Sequence, residues 1–308
     1  MAAGFAVSLI VAAAVGFGVA RHNTAAVGTA ANDCAVSRGW SIPGGESIDG
    51  DVLLDSIAQR TVVLLGERHD SAAHHQWQLD TLRALHLRRP FLVLGLEMFP
   101  RRVQPALDGW LRGELDEAEF LEQSDWANVW RFDPDLYMDI FRYARDHGIP
   151  MRALNVEAAF TRSVGRTGFD ATPVDQREGV TRPAEASKRY ARWLDQVFRI
   201  HRPPEERGDG GTLAHFIDAQ LVWDRAMAQG IREAIVEHPD ALVVGLIGSG
   251  HLRHGDGVAH QLEDLGVSDH ATLLPWDRGS DCRNLVAGMA HAIFGLDAGP
   301  QRHDSPPG

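Results

Sequence analysis

Cysteine is nearly absent from this chain of 308 residues, which carries only Cys34 and Cys282. Two thiols cannot by themselves build an iron–sulfur cluster or a cysteine-rich zinc site. They can close one disulfide between the two ends of the mature chain, or stay as two unpaired thiols. Tyrosine is scarce as well: Tyr137, Tyr143 and Tyr190 are the only three. Positive charge is in deficit, with 30 Lys plus Arg against 42 acids and a formal net charge of -12. That balance argues against a nucleic-acid partner, because phosphate recognition needs clustered cations. No stretch matches a P-loop, a dinucleotide fingerprint, HExxH, or a nucleophile elbow around Ser249. Internal repeats are also missing.

One long hydrophobic run is present, residues 2–20, without charge or proline and followed by Arg21. It has the length of a bilayer-spanning helix. It also suits the apolar part of an export signal, with small residues at Gly18-Val19-Ala20 or Gly28-Thr29-Ala30 for cleavage. The usual basic segment before such a run is lacking, and Ala31-Asn32-Asp33 before Cys34 make a poor lipoprotein signal. The expected division is a signal peptide or N-terminal membrane anchor at 1–30, a linker and fold edge at 31–50, one α/β domain at 51–296, and a flexible tail at 297–308. Either reading of the first segment places the remainder outside the cytoplasm, in a periplasm or facing outward from a membrane.

At 44% hydrophobic residues the chain can bury a sizeable core. Short apolar runs at 61–65, 91–97, 151–155, 241–247 and 270–275 read as buried strands. Helical spacing marks 51–60, 72–88, 103–147, 184–201, 213–238 and 255–266. Residues 166–183 read as a polar connection and 202–211 as a loop. Continuous apolar strands separated by helices imply a largely parallel sheet flanked by helices. The stretches 103–147 and 184–237 exceed what crossovers need, so an additional smaller helical lobe is expected.

Unusual residues fall at the strand ends. The first strand runs into Gly66-Glu67-Arg68-His69, with Asp70 and Ser71 as candidate helix caps. The second ends at Glu97, the third at Asn155, and the fourth at Gly248-Ser249-Gly250-His251. In a parallel sheet these ends share one edge, where open α/β sheets bind ligands. Glu67, His69, Glu97 and His251 can hold a divalent ion such as zinc or manganese with an open position for water. Without metal, His69 or His251 can act as general base, its tautomer fixed by a nearby Glu. Either use amounts to hydrolysis of a peptide or ester bond. Gln220, Asp224 and Met227, at offsets of four and three, share a helix face that either looks into this site or is an ordinary amphipathic face.

The stretches LLGERHD, LGLEMF, LYMDIFRYARDHGIPMRALN, FIDAQLVWDRAMA and GLIGSGHLRHGDGV, taken in this order, resemble the ChaN-like haem-binding uptake family. That family is similar in turn to the Tiki proteases, the TraB-like proteins and the erythromycin esterases. The resemblance runs from about Asp51 to about Pro275 and makes 51–296 a ChaN-like α/β domain with helical insertions. It implies an exported bacterial protein that binds haem for iron uptake or trafficking, with a haem-uptake partner protein. It also implies a homodimer enclosing stacked haems, with tyrosine as iron ligand. Glu67, His69, Glu97 and His251 match positions that look catalytic or metal-binding in the hydrolase relatives. Asn155, Gln220, Asp224 and Met227 match further family elements and are candidate cofactor contacts. Tyr137 and Tyr190 are the candidate iron ligands. Arg189 and Arg192 flank Tyr190 in KRYARW, where they would favour its phenolate and meet haem propionates.

Overall fold

The computed structural model describes residues 34–201 and 212–297. The expected signal or anchor at 1–30, the loop at 202–211 and nearly all of the expected tail lie outside the described residues. Eight strands form one sheet: β1 (Trp40–Ser41), β2 (Ser47–Ile48), β3 (Val62–Glu67), β4 (Leu92–Pro100), β5 (Met151–Asn155), β6 (Leu242–Gly248), β7 (His270–Asp277) and β8 (Ala292–Leu296). Their order is β2-β1-β8-β7-β3-β6-β4-β5. All neighbours from β8 to β5 pair in parallel, and the β1–β2 hairpin adds an antiparallel edge. The connections are α1 (Gly50–Ile57), α2 (Ala72–Arg88), α3 (Gln104–Leu111), α4 (Glu117–Gln123), α5 (Trp126–Val129), α6 (Met138–Asp146), α7 (Ala158–Thr167), α8 (Lys188–His201), α9 (Leu213–Glu237) and α10 (Val258–Asp264).

The apolar runs have no polar side to spare because both faces of the sheet are covered. Side chains alternate across a strand. Val63 and Leu65 of β3 therefore join Leu242, Val244 and Leu246 of β6 in a core beneath α1–α6. Val62 and Leu64 join Val243 and Ile247 in a second core beneath α9 and α10. A smaller helical unit stands beside these layers. In it α7 and the first half of α9 share Phe160, Val164, Ala219 and Val222, while Tyr190 and Leu194 of α8 meet Leu221.

Three sequence expectations change. Residues 103–147 do not stand off the sheet; Trp110, Phe120, Trp126 and Phe141 pack into the first core. The stretch is broken by a turn at Gly113 (φ +69°) and restarted by a capping box of Asp116 and Glu119. The last strand is β8 rather than β7, and α7 occupies the start of the expected polar connection. The cap at Ser71 is present, its hydroxyl accepting from the His74 amide.

Cys34 and Cys282 pair across a sequence separation of 248, with Cα atoms 5.6 Å apart. The bridge ties the chain before β1 to the segment between β7 and β8. Closing so long a loop restricts the unfolded chain. Cys34→Ser, or reduction, is expected to lower the unfolding free energy by about 2–4 kcal/mol, read from the denaturant midpoint. An unchanged midpoint would mean that the bridge constrains nothing.

Candidate functional site

Register brings the polar strand ends together. Glu67 of β3 lies opposite Gly248 of β6, and Leu96 of β4 lies opposite Leu246. Beyond Leu96 the β4–β5 pairing slips, so that Pro100 faces Asn155. A bulge of this kind re-aims the side chains it contains, here Glu97. Asn155 holds the turn: its side-chain amide donates to the Glu97 carbonyl at 3.0 Å, and its oxygen accepts from the Val156 amide. Gly248 must be glycine. A Cβ there would stand 2.8 Å from His69 Cε1 and 3.4 Å from Glu97 Oε2.

Glu67 is almost fully buried, and burial of a charge is costly unless donors meet it. Three side chains do so. His69 Nδ1 lies 2.5 Å from Oε1, and the Tyr137 hydroxyl donates to the same oxygen at 3.0 Å. His75 Nε2 stands 2.7 Å from Oε2, off the line of a good hydrogen bond, so that contact is chiefly electrostatic. Burial alone would push the Glu67 carboxyl up; the bond from His69 and the nearness of His75 outweigh it and hold it well below the usual carboxylate range. His69 responds in kind. Burial would lower it, but Glu67 and then Glu97 raise it. Its Nε2 carries no hydrogen bond among the described residues, and its ring sits 4.6 Å from that of Trp130 and 5.4 Å from that of Phe132.

A second pair lies behind Gly248. His251 Nδ1 is 2.6 Å from Asp224 Oδ1, and its Nε2 is 3.7 Å from Glu97 Oε1. Glu97 also accepts the Gly248 amide at 2.5 Å. Asp224 takes the Tyr190 hydroxyl on its other oxygen at 2.8 Å. Burial opposes the charged imidazole of His251, yet Asp224 and then Glu97 push its pKa up to about 9. Both histidines are therefore held toward imidazolium. With Nδ1 taken by Glu67, the arrangement suits donation of a hydrogen bond from His69 Nε2.

The structure thus gathers Glu67, His69, Glu97, His251 and Asp224. It does not arrange the expected metal set as a cation shell. Among the described residues no group of three or more His, Cys, Asp or Glu side chains is disposed to hold a metal ion. The near atoms of Glu67, His69 and His251 are already committed to one another or to Asp224.

Both candidate tyrosines lie inside the fold. Tyr137 is wholly inside the first core, its hydroxyl on Glu67. Tyr190 is buried with its hydroxyl on Asp224, and Trp193 stacks on its ring at 5.7 Å. Burial first, and then the neighbouring carboxylate, raises both phenols well above the ordinary range. The phenolate expected for Tyr190 is therefore disfavoured. Arg189 turns away to Asp256 and the His254 carbonyl, and Arg192 is exposed. Met227 is a core residue beneath the sheet. Gln220 is buried beside this helix face with its amide nitrogen unpartnered. Sequence reading missed His75, Trp130 and Phe132. The His74-His75 pair, separated by four residues from the Glu67-Arg68-His69 motif, was the available signal for His75.

His251 gives a direct check. Its folded pKa lies above the ordinary imidazole value of about 6.5, so its stabilisation is full below about pH 6.5 and is lost as pH rises through about 9. Its NMR titration midpoint is expected near 9 and should fall markedly in Asp224→Asn. A midpoint near 6.5 in the unaltered protein would contradict the pairing.

Comparison with known proteins agrees with this architecture. A family model described as haem-binding uptake, Tiki superfamily, ChaN matches residues 53–262. No curated protein matches. Among solved structures, ChaN of Campylobacter jejuni with cofacial haem aligns with a TM-score of 0.63 at 18% identity, over 81% of this chain and 92% of that one. The erythromycin esterase EreC aligns with a TM-score of 0.47 at 13% identity, over 77% of each chain; that likeness is too distant to bear on function. On the match over residues 53–262, the chain belongs to the ChaN family of haem-binding uptake proteins in the Tiki superfamily.

Proposed function

We propose that this protein binds haem outside the cytoplasm and serves haem or iron uptake or trafficking. The observation that carries this reading is the family match across residues 53–262. Two features support the location. The Cys34–Cys282 bridge suits an oxidising compartment, and the apolar run 2–20 suits export or anchoring. No helix among the described residues is long and apolar enough to cross a membrane, which leaves any membrane attachment to that first segment. A homodimer enclosing the haems and a partner protein for transfer belong to the same reading.

The residues first considered for the iron do not fit it. A haem iron needs a donor lone pair at a surface that the macrocycle can cover. The Tyr137 and Tyr190 hydroxyls point instead into carboxylates inside the fold. Haem titration of the exported part should give a saturable Soret shift that Tyr137→Phe and Tyr190→Phe both retain. Absence of a saturable shift would overturn the haem reading. Loss of it in either variant, with the fold intact, would overturn the exclusion of that tyrosine.

A second reading, hydrolysis of a peptide or ester bond, is favoured by one observation. His69 is oriented by Glu67 through Nδ1 and keeps Nε2 free beside Gly248 and Glu97, as a proton donor to a leaving group must be. A screen of peptide and ester substrates should then find a turnover that falls by about 10²–10⁴-fold in His69→Ala. Turnover untouched by that substitution rules this reading out.

A further inference from the structure

The opposite edge of the sheet carries a cluster that neither reading uses. Helix α2 runs back from the carboxyl edge and ends beside α6, which leads into the start of β5. There His86, Tyr143 and His147 meet, half-buried or exposed. The His86 and His147 ring centres are 5.4 Å apart, and the His147 ring lies 4.1 Å from that of Tyr143. His86 Nδ1 lies 2.9 Å from the Tyr143 hydroxyl, and the Pro90 carbonyl is within hydrogen-bonding reach of the same ring. A ring proton held toward Pro90 leaves the Nδ1 lone pair facing the phenol. His147 Nδ1 lies 2.9 Å from the Tyr143 carbonyl. It must donate there, which leaves the Nε2 lone pair to solvent.

These spacings are close to those of metal ligands. Two imidazoles bound to one ion through bonds of about 2.1 Å have ring centres about 4.6 Å apart at the right angle copper(II) prefers and about 5.2 Å apart at the tetrahedral angle of zinc, with adjacent donor atoms about 3 Å apart, so a small turn of the exposed His147 ring closes the set onto either ion. A carbonyl behind each imidazole is the arrangement that fixes tautomer and orientation in ligating histidines. We propose that His86, Tyr143 and His147 together bind one divalent transition-metal ion, copper(II) in preference to zinc, as nitrogen and phenol donors rank them. The phenol proton passes to solvent as the metal–oxygen bond forms, and no oxidation state changes. Arg83, with its guanidinium carbon 5.4 Å from the Tyr143 ring, opposes a cation here. Its own partner Asp80 at 3.3 Å offsets it.

The bare ions are the probe, so the outcome does not depend on haem. Haem-free protein titrated with Cu2+ should bind one equivalent tightly, with nitrogen hyperfine structure in its EPR spectrum and a phenolate-to-copper absorption band. Zn2+ should compete more weakly. His86→Ala combined with His147→Ala should weaken binding by about tenfold or more. Tyr143→Phe should abolish the absorption band while leaving weaker binding. These positions are at the surface, so an unchanged melting temperature checks the fold. Failure to bind one equivalent, or equal affinity in the double histidine variant, would overturn the proposal.

Discussion

Carboxylates buried at the end of a parallel sheet are the constraint that the polar edge of this fold depends on. Glu67, Glu97 and Asp224 are each nearly or fully inaccessible to solvent. Such groups are tolerated only where donors replace water. The structure supplies His69, His75 and Tyr137 to Glu67, the Gly248 amide and His251 to Glu97, and His251 and Tyr190 to Asp224. Those donors come from the turn after β3, α2, the turn before α6, the end of β6 with the turn after it, and α8, while α9 carries Asp224 itself. Much of the topology is therefore tied to a single polar row.

The same economy separates two possible sites. At the carboxyl edge the tyrosines serve the carboxylates, which withdraws them from any role toward iron. At the amino edge the half-buried Tyr143 has its hydroxyl on His86 and its ring against His147 and Arg83. Placement of acids, more than placement of tyrosines, decides which edge can take a cation. The buried polar row and the proposed cation cluster thus draw on different residues.

The sheet was legible in the sequence because its strands are buried on both faces. Runs such as TVVLL and ALVVGLI are short, rich in β-branched residues and followed by glycine, which favours a buried strand over a helix. Helix α2 was legible end to end, from its Ser71 cap to Arg88. The short edge was not: AIFGL of β8 and the two-residue strands β1 and β2 carry too little pattern to stand out from loops. Of the candidate site, the convergence of Glu67, His69, Glu97 and His251 followed from parallel topology alone. The role of Asp224 did not, because helical spacing fixes a face but not the partner across it. The burial of the tyrosines was not legible for the same reason. A flanking arginine in sequence says little about where a phenol points, and Arg189 is spent on Asp256.

A double-mutant cycle on Glu67→Gln and His69→Gln, followed by equilibrium unfolding near neutral pH, tests the central claim that paired burial holds this edge together. The account predicts a coupling of about 1 kcal/mol or more, as expected for residues in one buried network. Additivity of the two substitutions to within about 0.3–0.5 kcal/mol would contradict it.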